Sequence, residues 1–301
     1  MGLARPSAEI GSEAARQRAR PPAPQTRDRW LAVGLLAPLL VFLAGCFIAP
    51  LAQLLRLSFA APEGAFFAYR EIAQSEVYRR VFVNTLILAF NVAVIASVLS
   101  YPTAYMLSRL RGLAFTVAVA CLLFPLWISV LVRTFSWILL LERNGPINRA
   151  LVGAGLVGEP LPMLFSSIGV YIGMVHVLLP YALLPIYSAM RTVDARLLQA
   201  SDGLGASALQ TFLRVYLPLT FPGIASGFLL VFLLSLGFFI TPAILGGIGN
   251  LTIAMLIDVF VTERLVWPLA AAASFWLLFL VLILVAVASR FLNLASTVTA
   301  R

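Results

Sequence analysis

"LLQASDGLGASALQTFLRVYLPLTFPG", from Leu197 to Gly223, lies between two strongly apolar runs of the chain. The stretch is too long for a turn and too apolar for a solvated linker. Its apolar residues fall at helical spacing, and Gly203 and Gly205 interrupt the pattern. These features predict two short helices with a glycine-permitted bend between them.

The second of these helices is predicted to be capped near Ser207, to run through Arg214 and to lead to Leu217-Pro218. Pro222 then begins the next apolar run, at a position where the missing proline N–H costs little. A short helix with exposed leucines needs a partner groove, as helix-in-groove recognition provides. The stretch therefore predicts a folded element that docks on another protein.

The composition places the rest of the chain in a membrane. Of 301 residues, 61% are hydrophobic and 11% are charged, with a mean hydropathy of +1.00, whereas soluble domains carry about 25% charged residues. The chain is therefore predicted to be an all-α polytopic membrane protein. A helix needs about 20 apolar residues to cross the hydrocarbon, and six segments qualify: Trp30–Leu55, Val81–Leu107, Leu113–Leu140, Ser167–Met190, Gly223–Leu245 and Pro268–Phe291.

The domain organisation follows from these spans. Residues 1–29 are rich in arginine and proline and are predicted to be a disordered cytoplasmic tail. Residues 30–295 form the predicted transmembrane domain, with residues 191–222 as a loop outside the bilayer, and residues 296–301 form a C-terminal tail. Placing both termini in the cytoplasm puts most arginines, and this loop, on the cytoplasmic side, as the positive-inside rule requires.

Glycines and prolines lie within or beside the predicted spans. The patterns "GVYIG" at Gly169 and "GIASG" at Gly223 favour close helix packing. Prolines predict either ordinary kinks or breaks along a transport path, and they are Pro38, Pro102, Pro125, Pro180, Pro185 and Pro242.

Signatures of cofactor binding and catalysis are weak. "GAGLVG" at Gly153–Gly158 matches a dinucleotide-binding pattern, but no strand precedes it and no acid follows about 20 residues later. No Walker A pattern is present, so ATP energy must come from a partner. A lone histidine, His176, favours neutral packing over metal binding or catalysis, with lining of a path as the alternative.

Two charged residues are candidates for a transport path. Arg133 lies about 30 Å along the third predicted span, which favours either snorkelling to the interface or a site inside the membrane. Asp258 is the interior charge of residues 250–263, a segment too short to span that is predicted to lie at the outer interface. An unpaired carboxylate there needs a partner, water or a cationic ligand.

The opening stretch resembles the cytoplasmic "EAA" loop of bacterial ABC-importer permeases, written E-A-A-x3-G-x9-I-x-L-P. Gln199-Ala200-Ser201 is followed after three residues by Gly205, and after nine more by Val215-Tyr216-Leu217-Pro218. Gln199 replaces the acidic residue of the motif. The resemblance implies that the residues coupling to an ATPase are Gln199, Ala200, Ser201, Leu204, Gly205, Ala206, Val215, Leu217 and Pro218.

Three further blocks, "LVRTFSWILLLERNGPIN", "LPYALLPIYSAM" and "LGFFITPAILGG", resemble the spermidine/putrescine-type permeases. The resemblance implies a six-span permease of type I ABC importers in the bacterial inner membrane, with a five-helix core and an extra first helix. It implies four kinds of partner: a second, different permease chain, two ATPase subunits that bind ATP-Mg, a periplasmic binding protein and the lipid bilayer. The chain itself would be a transport subunit with no enzymatic site and no cofactor, and nucleic acid is not among its partners.

The subgroup implies a polyamine-like cation as the solute, with an opine, an aminophosphonate or ferric iron as alternatives. A cation over an aromatic ring gains about 0.5–2 kcal/mol, so aromatic residues near the breaks are candidates, with Asp258 at the outer gate and Arg133 paired or turned away. The predicted path residues are Trp127, Arg133, Trp137, Tyr181, Phe238, Phe239, Thr241 and Asp258. Other classes are an ion-coupled secondary transporter, a membrane-bound enzyme and a structural membrane protein; the first is disfavoured because repeated halves and intramembrane acids are missing from the sequence.

Overall fold

The computed structural model describes residues 26–299, with side chains described for residues 34–247 and 249–290. No strand occurs within this range, which confirms the predicted all-α class. Short 3-10 or π-helical turns occupy Phe124–Trp127, Phe212–Tyr216 and Ile248–Asn250. The α-helices are α1 (Thr26–Ser58), α2 (Phe67–Gln74), α3 (Glu76–Arg109), α4 (Gly112–Leu123), α5 (Val130–Leu141), α6 (Pro146–Gly153), α7 (Ser167–Thr192), α8 (Ala195–Gly203), α9 (Ala208–Thr211), α10 (Leu217–Leu236), α11 (Ile240–Leu245), α12 (Ile253–Thr262) and α13 (Trp267–Thr299).

The spans agree with the sequence in number but not in continuity. Among the described residues five helices are long and apolar enough to cross a bilayer, and there are six crossings if the bent pair 112–127 and 130–153 is one span. The two halves of that pair meet at 100°, so of the two outcomes predicted for the prolines, Pro125 lies at a break and not at an ordinary kink. Pro125 lacks the N–H that would continue α4, and Ile128 and Ser129 have extended backbone before α5 begins.

The fifth predicted span also has different bounds. A continuous helix runs from Ala208 to Leu236, so Pro222 lies inside α10 and does not begin the span. A π-helical turn at Phe212–Tyr216 lets the Leu217 N–H reach the Phe212 carbonyl, and such wider turns accommodate irregular hydrogen bonding. The span ends at Leu236, and three non-helical residues separate it from α11.

The helices also extend into both predicted tails. Helix α1 begins at Thr26 and α13 continues to Thr299, because polar residues flanking an apolar run are compatible with a helix that extends past the hydrocarbon. Residues 1–25 and 300–301 lie outside the described part of the chain. Residues up to Arg56 and residues from Leu57 onward form two compact units, and the features below belong to the second.

Helices α3, α7 and α10 form the main core of the second unit. Val92, Met174 and Val231 are fully buried where they meet. A Cβ atom added to Gly227 would lie 2.6 Å from the Ala182 carbonyl oxygen, so α7 and α10 approach to backbone contact. The close packing predicted from the glycine pattern at Gly223 is therefore confirmed.

A second cluster packs α2, α12 and α13 beside the start of α3. Ile253 and Phe260 of α12 are fully buried in it. The Thr85 hydroxyl oxygen accepts a hydrogen bond from the Ile253 N–H at 2.9 Å. The predicted short, non-spanning helix within residues 250–263 is thus α12. Helix α2 was not predicted, because its eight residues are too few and on average too polar to resemble a membrane segment.

Candidate functional site

A helical hairpin, residues 194–216, joins α7 to α10. At its bend Gly205 has φ +80°. The Gly205 N–H donates to the Asp202 carbonyl at 3.0 Å and the Ala206 N–H donates to the Ser201 carbonyl at 3.2 Å. These two bonds form a Schellman motif, in which glycine takes the left-handed position without steric cost. The predicted glycine bend is confirmed at Gly205.

Both arms of the hairpin begin at a capping side chain. The Asp194 carboxylate accepts a hydrogen bond from the Arg196 N–H at 2.9 Å and starts α8. The Ser207 hydroxyl accepts from the Gln210 N–H at 3.3 Å, and the Gln210 side chain accepts from the Ser207 N–H at 2.9 Å. This capping box starts α9, which confirms the cap predicted near Ser207.

Polar side chains connect the two arms. The Thr211 hydroxyl lies 2.9 Å from the Ser201 hydroxyl and donates to the Asp202 carboxylate at 3.3 Å. Thr211 is buried, so α8 is tied to the helix that continues into α10. Thr211 and Asp202 were not predicted as coupling residues, because their meeting depends on the angle of the bend and leaves no signal in sequence spacing.

The predicted coupling residues divide between an exposed face and the inside of the hairpin. Leu204 is 89% exposed, and Gln199, Ala200, Gly205 and Pro218 are also exposed. Exposed apolar side chains on a polar segment are typical of a docking surface, and Leu197, Leu209 and Leu213 extend it. The partly buried members are Ser201, Ala206, Val215 and Leu217.

A cavity of about 200 Å³ lies between the hairpin and the end of α3. Arg109 and Asp202 both line it, together with Tyr105 and Tyr216. The Arg109 guanidinium lies 4.5 Å from the centroid of the Tyr105 ring, a distance at which a cation–π interaction is favourable. Arg109 was not predicted as a coupling residue, because its place beside the hairpin arises from packing.

The break in the third span places Arg133 in the first turn of α5. Its side chain is 7% exposed, and its Nε and Nη1 atoms have no hydrogen-bond acceptor among the described residues. The low exposure of Arg133 favours a site inside the protein over snorkelling, in which the charged end is exposed, and the choice between the two stays a prediction. Arg133 lies within electrostatic range of His176 and Tyr181 on α7. The predicted acidic partner is not observed in the described part of the chain, where the single ion pair joins Arg80 and Glu76.

Polar side chains next to Arg133 connect the broken third span to α11, the short helix that follows the fifth span. The hydroxyl groups of Thr134 on α5 and Thr241 on α11 are 3.3 Å apart, and both residues are buried. The Trp137 indole N–H donates to His176 Nδ1 at 3.3 Å, with the rings T-shaped. His176 accepts this bond as a neutral imidazole, which fits the packing role predicted for it.

The aromatic residues predicted to line a path do not form one cluster. Trp137 and Phe238 are partly buried against the core of α3, α7 and α10. Tyr181 and Phe239 are just over one-third exposed, and Trp127 is 89% exposed at the end of the 3-10 turn that precedes the break. The structure thus brings Arg133, Trp137, Tyr181 and Thr241 to one region, and the lining of a path by the full set stays a prediction.

Asp258 lies away from this group, on α12. Its side chain is exposed, whereas Ile253, Leu256 and Phe260 of the same helix are buried. No ion pair to Asp258 is present within the described residues, so its carboxylate is available to a ligand or partner. The described residues also contain no group of three or more His, Cys, Asp or Glu side chains that could hold a metal ion.

Comparison with known proteins agrees with this geometry. The family model described as "Binding-protein-dependent transport system inner membrane component" matches residues 60–295. The spermidine/putrescine transport system permease protein PotB of Escherichia coli (strain K12) is 36% identical over 220 residues, which cover 72% of this chain and 80% of PotB. The residues matched by the family model include the hairpin and the broken third span.

Solved structures show the same fold. A bacterial ABC transporter involved in the import of the acidic polysaccharide alginate matches with a TM-score of 0.71 and 19% identity, over 89% of this chain and 96% of that one. The alginate transporter in complex with an alginate pentasaccharide-bound periplasmic protein matches with a TM-score of 0.70 and 19% identity, over 87% and 93% of the two chains.

The chain belongs to the family of binding-protein-dependent transport system inner membrane components. It is a permease subunit of a type I ABC importer, embedded in the inner membrane by several helices. The family and the fold class inferred from the EAA-like loop and the three sequence blocks are therefore confirmed.

Proposed function

From this family membership we propose that the chain carries a polyamine-like cation through the inner membrane, powered by ATPase subunits that bind ATP-Mg in the cytoplasm. A periplasmic binding protein delivers the solute, and a second, different permease chain completes the path. The observation that supports ATP coupling is the hairpin. It presents exposed leucines on one side and is hydrogen-bonded to a continuous helix of a membrane span on the other.

The hairpin is suited to transmit movement from a bound ATPase to a membrane span. Helix α8 is short, is capped at both ends and presents Leu204 and Gln199 to solvent. Its partner arm continues from Ala208 to Leu236 without interruption. Movement of an ATPase groove that holds α8 is therefore passed through Thr211 to α10. Gln199 offers that groove a hydrogen bond where the motif's acid would offer an ionic contact.

The proposed orientation places the hairpin and both termini in the cytoplasm. The hairpin end of the molecule carries Arg109, Arg191, Arg196 and Arg214. Arginine-rich loops next to membrane spans remain on the cytoplasmic side. The end with α2 and α12 then faces the periplasm, where Asp258 is exposed to arriving solute.

The polyamine assignment rests on the similarity to PotB. In this proposal a cation enters beside Asp258 and passes the aromatic and threonine side chains at the breaks in the third and fifth spans. Opines, aminophosphonates and ferric iron are the alternative solutes, and no contact in the described residues favours one of them over a polyamine. An ion-coupled secondary transporter is a weaker alternative, because the hairpin would then have no partner.

Reconstitution tests this proposal directly. The chain, its companion permease and the ATPase subunits are placed in vesicles with ATP inside and with binding protein and labelled spermidine outside. We expect uptake that requires both ATP and binding protein and that unlabelled putrescine inhibits. Uptake by the chain alone along an ion gradient would contradict ATP coupling, whereas ATP-driven uptake of an aminophosphonate but not of spermidine would contradict only the choice of solute.

A further inference from the structure

A polar cavity of about 200 Å³ separates the hairpin from the last turn of α3. Tyr105 and Arg109 line it from α3, Asp202 lines it from α8, and Thr211 lines it from α9. Helix α8 therefore leaves a space in front of α3, and a movement of α8 towards α3 would close that space.

Two opposite charges line this cavity without meeting. The Arg109 guanidinium lies 4.5 Å from the centroid of the Tyr105 ring. The Asp202 carboxylate accepts from the Thr211 hydroxyl through Oδ1 at 3.3 Å, and its Oδ2 atom has no donor among the described side chains. Neither Arg109 nor Asp202 belongs to an ion pair in the part of the chain that the structure describes. Both residues thus retain the capacity for a charge-assisted hydrogen bond.

Asp202 is the acid of the hairpin that remains available to Arg109. Residues 194–216 contain two acids, Asp194 and Asp202. The Asp194 carboxylate accepts from the Arg196 N–H and caps the start of α8. Asp202 lies in the last turn of α8, at the negative end of the helix dipole, where a carboxylate is unfavourable unless a cation is close. Arg109 is the cation that faces the same cavity.

The contribution of an ion pair between these two residues depends on whether the cavity is open. Arg109 and Asp202 are both exposed in the structure, and exposed ion pairs contribute little to stability. When α8 moves towards α3, water leaves the cavity and an unpaired charge there becomes costly. The pair therefore stabilises the closed arrangement of α8 and α3 more than the open one.

We propose that Arg109 is a positioning residue of the hairpin: it leaves the Tyr105 ring and pairs with Asp202 when a bound ATPase moves α8 towards α3. The inference rests on the proposed function, because the ATPase supplies the movement. The pair passes this movement to α3, in addition to the route through Thr211 to α10. Since α3 packs against α7 and α10, both routes lead to the same three helices.

Charge removal and charge exchange in the reconstituted transporter test the inference. Arg109→Gln and Asp202→Asn each remove one charge, and asparagine can still accept from Thr211. Arg109→Asp combined with Asp202→Arg exchanges the two charges. The readouts are spermidine uptake per ATP hydrolysed and the amount of ATPase recovered with the purified permease. Arg111→Gln, at an exposed arginine that does not line the cavity, is the matched control.

We expect each charge removal to lower uptake per ATP by at least about fivefold, because the closed arrangement then contains an unpaired charge. Recovery of the ATPase should stay within about twofold of wild type, since the exposed leucines that hold it are unchanged. The two removals combined should be no worse than one, and the exchanged pair should exceed Arg109→Asp alone by at least about threefold. Arg111→Gln should change neither readout.

Cross-linking measures the movement itself. Cys46 and Cys121 are first replaced by serine, and Arg109→Cys is combined with Asp202→Cys. A short bifunctional thiol reagent is then applied to the transporter without nucleotide and to the transporter trapped with ATP and vanadate. We expect the rate of cross-linking to differ between the two states by at least about fivefold, as a shift between open and closed populations requires. Arg111→Cys with Asp202→Cys should show a smaller difference.

Three results would overturn the inference. They are wild-type coupling in both Arg109→Gln and Asp202→Asn, additive losses when the two are combined, and equal cross-linking in the two nucleotide states. Loss of ATPase recovery in parallel with uptake would also overturn it, because it would assign the two charges to docking or folding. These results leave ATP-driven uptake by the wild type intact, whereas a wild-type transporter without ATP-dependent uptake would contradict the proposed function, and the inference would fall with it.

Discussion

Gly205 sets the angle between the two arms of the hairpin. Its φ of +80° belongs to the left-handed region, and a Cβ added there would meet nothing within 4 Å. The requirement for glycine therefore comes from the backbone and not from lack of space. Since the Thr211 hydrogen bonds form only when the arms meet, this one dihedral angle positions the link between α8 and α10.

Gly205→Ala should loosen the hairpin by about 1–2 kcal/mol, the usual cost of a left-handed conformation for a residue with a Cβ. Gly205→Asn should cost less, because asparagine tolerates that region. The measurements are amide hydrogen exchange in residues 194–216 and recovery of the ATPase with the purified permease. Gly203→Ala is the control, since Gly203 lies in α8 with open space around it, and it should be neutral or stabilising.

The critical result is that Gly205→Ala impairs the hairpin and ATPase recovery more than Gly205→Asn does. If both variants recover as much ATPase as the wild type and exchange at the same rate, the left-handed turn does not matter for docking. If Asn is the worse of the two, the effect comes from a contact with the side chain of an ATPase and not from the backbone.

At the scale of elements, the close packing of α7 on α10 bears on the proposed coupling between the hairpin and the membrane spans. The Gly227 Cα lies against the Ala182 backbone, so the two helices touch without intervening side chains. Tyr101 and Thr220 connect α3 to α10 through their hydroxyl groups at 3.1 Å. We therefore expect these three helices to move as one group, whereas α5 and α11 contact that group through α7.

Gly227→Ala should separate α7 from α10 and destabilise the permease by about 1–3 kcal/mol, because the added methyl group would lie 2.6 Å from a backbone oxygen that cannot move alone. The measurement is the midpoint of thermal unfolding in detergent. Gly237→Ala is the control, since a Cβ there meets nothing within 4 Å. Equal midpoints for the two variants would show that α7 and α10 do not need this close approach.

At the scale of the whole molecule, the proposed orientation has a solute pass from the end with α12 to the end with the hairpin. Asp258 is exposed at the first end, and Arg133 lies buried beyond it at the break of the third span. A cation is thus attracted at the entrance and meets a positive group inside. The proposed path for a cation therefore requires both charges to be balanced in the assembled importer.

Asp258→Asn should reduce uptake of a cationic solute when the binding protein is scarce, and the loss should shrink when the binding protein saturates the transporter. The fold should be unchanged, because Asp258 is exposed while the buried face of α12 is apolar. The measurement is ATP-driven uptake of labelled spermidine at several concentrations of binding protein. Glu263→Gln, at the exposed end of the same helix, is the control: it removes one negative charge from the same surface at a different position.

Undiminished uptake in Asp258→Asn at every concentration of binding protein would remove this residue from the entrance. A loss of the same size in Glu263→Gln would indicate that the total negative charge of this surface matters more than the position of one carboxylate.

Local properties of the sequence determined the class of the protein, the number of spans and the shape of the hairpin. The length of an apolar run, the capping pattern at Ser207 and the glycine at position 205 each act over a few residues, so they are read directly from the chain. The motif spacing likewise identified the family. The structure retains these features because each depends on neighbouring residues and not on contacts between distant parts of the chain.

Tertiary structure alone decided how sharply the third span bends and which polar groups meet. The 100° bend after Trp127, the burial of Arg133 and the Thr134–Thr241 contact depend on helices that are distant in sequence. Thr211 reaches Ser201 only after the hairpin has closed. Sequence periodicity describes which face of a helix is apolar, but the partner of a buried polar group is set by packing, which a single sequence does not record.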